Sequence, residues 1–204
     1  DLGAAAVAAG VVVPVLIEVD IGMRRCGVPP GDEALALART IARTPGLRLD
    51  GLQGYEGHLV MTPDPDERRR KVLAAFEPLL ALRRALSDAG LPCPILSGGG
   101  TGTYDITGNI PGVDEIQAGS YALMDNHYRK VRPEFRNALS ILATVISSSR
   151  DFLVADVGLK GMGNEFGLPA LAEAPEARAR YIAEEHTPFD GVSRPVGTKV
   201  RLIP

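Results

Sequence analysis

The segment VPVLIEVD, Val13 to Asp20, constrains the fold more than any other stretch of the chain. It is apolar at nearly every position, whereas a half-buried strand alternates apolar with polar residues. Such a run reads as a strand covered on both faces, as in a parallel sheet flanked by helices. An Ala-rich helical stretch, Leu2 to Ala9, comes before it. After it comes a helical pattern from Asp32 to Arg43, with Asp32 as N-cap and Pro45-Gly46 as the stop. LRLDGLQGYEGH reads as a second strand, and DPDERRRKVLAAFEPLLALRRALSDAG as a long amphipathic helix, acidic at its start and closed by Gly90. PILS is a third strand and DEIQAGSYAL a fourth. Strands alternating with helices at this spacing predict an α/β fold with a parallel sheet and right-handed crossovers.

After Pro133 the character changes. NALSILATVISS, DFLVADVG and PVGTKVRLI are strand-like, and Pro175 to Glu185 reads as a short polar helix between them. A domain boundary is therefore placed near Pro133, with residues 1–133 in one domain and 134–204 in a mostly-β one. The chain has 204 residues, 45% hydrophobic and 23% charged, with a formal net charge of −3, so no basic field invites nucleic acid or an anionic membrane. No apolar run approaches the ~18 residues of a membrane span. Cys26 and Cys93 are isolated, which argues against a disulfide framework or zinc site and suits reduced thiols in a cytoplasm. The chain starts at Asp1 inside a helical stretch and stops just after the strand-like KVRLI, so both ends read as cut.

Ligand residues in such folds lie at the carboxyl ends of the strands. Four groups fall there: Arg25, His58, Ser97 to Thr101, and Gly119-Ser120. The run LSGGGTGTYD could be a flexible turn or a nest for phosphate oxygens. It matches neither GxGxxG nor GxxxxGK[ST]. His58 could be a surface or core histidine, or could serve in ring stacking or acid–base chemistry. Of the adjacent Arg24 and Arg25, one could aim its fork inward at an anionic oxygen. His127 and His186 read as uncommitted and solvated. Lys71 reads as exposed, and Lys160 as the one lysine in a pocket position.

Five stretches, VLIEVDIGMRRCGV, GLQGYEGH, LSGGGTGTYD, EIQAGSYALMD and ADVGLKGMG, together resemble the D-threonine aldolase and D-serine dehydratase branch of the alanine racemase-like enzymes, which use pyridoxal phosphate (PLP). The resemblance implies the C-terminal half of a (β/α)8 PLP-binding barrel followed by part of a mostly-β domain. Arg25 then matches the arginine that approaches the cofactor phenolate or substrate carboxylate, and His58 the histidine packed on the pyridine ring. Ser97, Gly98, Gly99, Gly100 and Thr101 match the phosphate loop. Gly119 and Ser120, with Tyr121 beside them, match the second phosphate-binding segment. Gln117 falls where racemases place an arginine facing the pyridine nitrogen, a departure that argues against a plain alanine racemase.

The resemblance also implies a Schiff-base lysine upstream of Asp1 and ligands for a divalent metal, Mn²⁺ or Zn²⁺, beyond Pro204. The expected activity is retro-aldol cleavage of a D-β-hydroxy amino acid to glycine and an aldehyde, in a cytoplasmic homodimer. A D-serine dehydratase-type elimination and a non-catalytic PLP carrier are the alternatives, and residues 137–204 count against the carrier. The isolated 204-residue chain is expected to be inactive.

Overall fold

The structure, a computed structural model, describes residues 1–204. The chain divides into two compact units, Asp1–Gly119 and Ser120–Pro204.

The first unit alternates helix and strand: α1 (Leu2–Ala8), β1 (Val13–Glu18), α2 (Asp32–Arg43), β2 (Leu47–Gly54), α3 (Pro65–Asp88), β3 (Ile95–Gly98), α4 (Tyr104–Thr107) and β4 (Glu115–Ile116). Its strands form one sheet in the order β1-β2-β3-β4, and every pairing is parallel. Ile17, Leu52 and Leu96 stand in one register row and are buried with Val72, Phe76, Leu79, Leu82 and Leu86 of α3 and Ala34, Ala38 and Ile41 of α2. Burying a leucine or phenylalanine of this kind contributes about 2–3 kcal/mol relative to exposure. The next row, Glu18, Gln53, Ser97 and Glu115, is polar throughout. The sheet thus has one apolar, helix-covered face and one face bearing polar groups. Within Val13–Asp20, Ile17 and Val19 are fully buried, and β1, with Pro14 on it, is the outermost strand of the sheet that this chain forms.

Local signals explain the helices. Asp64 caps α3 by accepting the Glu67 N–H at 2.6 Å, Pro65 opens the helix, and Asp66 and Glu67 lie in the first turn. For α2 the cap is Gly31, at φ +120°, and not Asp32, which is the first helical residue and acts with Glu33 on the helix dipole. Behind the sheet, Arg83 of α3 donates to the carbonyls of Cys93, Pro94 and Gly112 and pairs with Asp114 at 2.8 Å. Asp114 in turn accepts the Leu96 N–H. This clamp fixes where β3 and β4 begin, and hence where they end.

The expected fourth strand is only two residues long. Beyond Ile116 the Gln117 N–H donates to the carbonyls of Gly98 and Gly99, and Ser120–Ala122 forms a 3-10 turn in the second unit.

In the second unit, β5 (Ile141–Ser148), β6 (Phe152–Ala155), β7 (Ala170–Leu171), β8 (Arg178–Ala179), β9 (Thr187–Asp190) and β10 (Lys199–Ile203) pair antiparallel in the order β7-β10-β5-β6-β9-β8. Val145, Leu153, Leu171, Phe189 and Leu202 make the core. No helix forms over Pro175–Glu185. Arg178 and Ala179 pair instead with Asp190 and Phe189, and Arg180 joins Asp190 in an ion pair, so a ladder with β9 overrides local helix propensity. Residues 120–133 belong to this unit, because Asn126 donates its backbone N–H to Pro204 and its side-chain amide to Ile203. The two compact units divide between Gly119 and Ser120, and the first strand of the second, β5, begins at Ile141. No helix is long and apolar enough to cross a membrane.

Candidate functional site at the ends of the parallel strands

The turns leaving β1, β2 and β3 carry most of the residues singled out by sequence. After β1, the Asp20 carboxylate accepts the backbone N–H of Gly22 at 2.9 Å and of Arg24 at 3.0 Å. The hydrogen bonds from Arg24 and then Gly22 hold its carboxyl below the usual aspartate value. This turn sends Arg24 into the left-handed region, at φ +54°, and delivers Arg25 to a position 5.7 Å above the Tyr55 ring. Arg25 is exposed and forms none of the chain's ion pairs, so its fork remains open to an anionic oxygen.

After β2 come Tyr55, Glu56 and His58. His58 is exposed and lies against Gly22, where a β-carbon would come within 3.1 Å of its Nε2. Tyr55 reaches the glycine run: a β-carbon on Gly100 would sit 2.8 Å from its hydroxyl. The aromatic ring between Arg25 and the glycine run is therefore Tyr55, which sequence reasoning passed over in favour of the histidine.

After β3, the glycines are required by close approach to the β2 side. A β-carbon on Gly98 would meet the Gly54 carbonyl at 2.5 Å and the Phe76 ring at 2.7 Å, and one on Gly102 the Val60 carbonyl at 2.0 Å. Beneath the loop is Glu56, fully buried. Its carboxylate accepts the Gly99 N–H at 3.1 Å and the hydroxyls of Thr103 and Thr107, each at 2.7 Å. The Gly100 N–H donates to the Thr103 hydroxyl oxygen at 3.1 Å. Glu56 is not among the residues the sequence singles out; its two threonine partners, Thr103 and Thr107, lie more than forty residues downstream.

Ser97, also buried, donates its hydroxyl to Glu115 at 2.5 Å and accepts the Gln117 side-chain amide at 3.0 Å. Since a hydroxyl has one proton and a carboxylate can only accept, the Gln117 group touching Ser97 is its NH₂. Its carbonyl oxygen is then the end turned away from Ser97. Thr101 is buried in the loop. Gly119 is the exception among these glycines, with no protein atom within 4 Å of an added β-carbon.

Ser120 and Tyr121 begin the second unit; Tyr121 is half exposed and its ring lies 5.8 Å from that of Phe135. His127 stacks on Phe166 at 5.7 Å and His186 is exposed. Lys160 lies at the surface, its side chain 69% exposed and paired with Glu185. Lys71 is exposed as expected and pairs with Glu67.

Comparison with known proteins places this geometry. Over its full length the chain is 34% identical to 3-hydroxy-D-aspartate aldolase of Paracoccus denitrificans (strain Pd 1222), spanning 56% of that protein. Over 75% of its length it is 33% identical to D-threo-3-hydroxyaspartate dehydratase of Delftia sp. (strain HT23), spanning 42% of that protein. The crystal structure of D-threonine aldolase from Filomicrobium marinum superposes on the whole chain with a TM-score of 0.94 and 34% identity, and the chain covers 58% of it. The fold is thus that of the alanine racemase-like enzymes, a half barrel followed by part of a β domain. The chain spans little more than half the length of these full-length relatives. Residues 1–127 match the model of the alanine racemase N-terminal domain, and the chain belongs to that family.

Proposed function

We propose that the protein carrying this chain is a PLP-dependent lyase of D-β-hydroxy amino acids, cleaving Cα–Cβ to release glycine and an aldehyde. The observation that supports this most is the convergence at the carboxyl end of the sheet of an unpaired arginine fork, an aromatic ring, an exposed histidine and a rigid glycine loop. The donor chemistry fits PLP: a cation for an anionic oxygen, a flat ring, and open space at Gly119 that leaves room for a phosphate. PLP supplies the electron sink for the carbanion left at Cα.

In this reading Arg25 holds the cofactor phenolate or the substrate carboxylate. Tyr55 and His58 flank the ring, and His58, exposed beside Gly22, takes the proton of the substrate β-hydroxyl. Within the first unit, Ser97 to Thr101 and Gly119 would serve the phosphate. Gln117, oriented by Ser97 and Glu115, presents an uncharged amide oxygen to the ring nitrogen. The divalent metal that the resemblance implies has no matching ligand set here, since no three His, Cys, Asp or Glu side chains cluster. Catalysis is assigned to the longer protein, as a homodimer, and the 204-residue chain alone is expected to be inert.

Similarity to the Delftia dehydratase favours one alternative, β-elimination. Incubating the protein with D-threonine, PLP and Mn²⁺ separates the readings by product. Glycine and acetaldehyde support cleavage, 2-oxobutanoate and ammonia mean elimination, and no turnover of any D-β-hydroxy amino acid leaves a carrier.

A further inference from the structure

Glu56 is fully buried in the turn after β2, yet the three partners of its carboxylate all lie at or beyond the glycine loop after β3. Both carboxylate oxygens are engaged. Oε2 takes the Gly99 N–H, and Oε1 takes the two threonine hydroxyls, one of which relays the Gly100 N–H. The donor pattern calls for a group that only accepts, and a carboxylate is the side chain that does so from both atoms. Two consecutive loop amides are thereby drawn inward, and the direction of the following backbone, Thr101–Gly102, is set by them.

We infer that Glu56 is the positioning residue of the phosphate loop, fixing it in its binding shape from behind without touching the ligand. The inference rests on the reading of this loop as a phosphate site. Its sign is diagnostic. A negative charge behind the loop repels an anion in front of it, so if Glu56 acted through charge alone its removal would tighten phosphate binding. If it acts through geometry, removal weakens binding, because an amide cannot serve Gly99 and both threonines without turning the Thr103 proton away to the Gly100 carbonyl, 3.4 Å distant.

The test compares the affinities of the wild-type protein and Glu56→Gln for PLP and for pyridoxal, which lacks the phosphate. The expected result is a loss of about tenfold or more in PLP affinity in E56Q, with pyridoxal affinity held within about twofold. A purely structural lesion would lower both alike, and a charge effect would raise PLP affinity; either result overturns the proposal. Where E56Q fails to fold, Thr103→Val breaks the relay from Gly100 and is expected to lose the same preference. A wild-type protein with no preference for PLP over pyridoxal would overturn the reading of the site itself, whereas a wild-type preference kept in the folded variant would overturn the role of Glu56 alone.

Discussion

The two units use polar side chains in opposite ways. In the first, buried polar groups gather at the carboxyl end of the sheet: Ser97 on β3, Glu56, Thr101 and Thr103 in the turns that follow β2 and β3, and Thr107 at the end of α4, bonded to Glu56. In the second, carboxylates work at the surface, where Asp156 accepts the Thr144 N–H, Asp190 pairs with Arg180 and Glu173 pairs with Arg201, each tying adjacent strands or turns. Burying an unmatched polar group is costly, so a chain that concentrates satisfied ones in one place holds that place rigid. Surface pairs of the second kind each contribute little. The first unit concentrates its buried polar groups where the proposed site lies, and the second spreads its carboxylates along the surface of its sheet.

Core truncation is expected to have the largest effect. Phe76→Ala and Phe189→Ala each remove a fully buried ring and should each lower stability by about 4 kcal/mol in urea unfolding. Only Phe76 touches the glycine loop, through Gly98, so only its loss should also weaken PLP binding. Equal weakening by both would break the contrast between the units.

Glycine substitution sharpens the comparison inside the first unit. Gly102→Ala drives a β-carbon against the Val60 carbonyl and should lower stability by about 2–3 kcal/mol. Gly119→Ala meets nothing and should stay within about 0.5 kcal/mol of wild type.

Acid titration gives a smaller effect. Backbone N–H donors lower Asp20 in the first unit and Asp156 in the second, and the Arg180 guanidinium lowers Asp190. A depressed folded-state carboxyl stabilises above its unfolded pKa, and that contribution is lost as pH falls through the lowered value. Thermal stability should therefore hold above the ordinary aspartate range and decline below it, with Asp20→Asn and Asp156→Asn each flattening part of the decline. The smallest effect concerns the thiols. Burial raises the Cys93 thiol above its usual value, so at mildly alkaline pH iodoacetamide should modify exposed Cys26 well before Cys93.

Much of this was legible because strand and helix periods differ and because ligands gather at strand ends in parallel sheets. The strand at Val13, the helices α2 and α3, and the positions of Arg25 and Ser97 follow from that alone. What escaped the sequence depends on contacts far apart in the chain. Glu56 acquires its role only when Thr103 and Thr107 fold over it, and Tyr55 only when Arg25 and Gly100 close on either side. The segment from Pro175 failed for the same reason, since a two-residue ladder with β9 decides its conformation. The glycine run was read as a choice between a turn and a cradle. The close approach of Gly98 and Gly102 to the Gly54 and Val60 carbonyls, which makes glycine necessary there, depends on how the neighbouring strand packs and is not written in the run itself.

The central claim is that this end of the sheet holds a phosphate-bearing cofactor. Titrating PLP into the protein, with and without inorganic phosphate as competitor, and repeating it on Gly119→Ala, tests that most directly. The expected result is saturable PLP binding that phosphate displaces and that Gly119→Ala weakens by about tenfold while melting as wild type does. PLP binding that is indifferent to both phosphate and Gly119→Ala would contradict it.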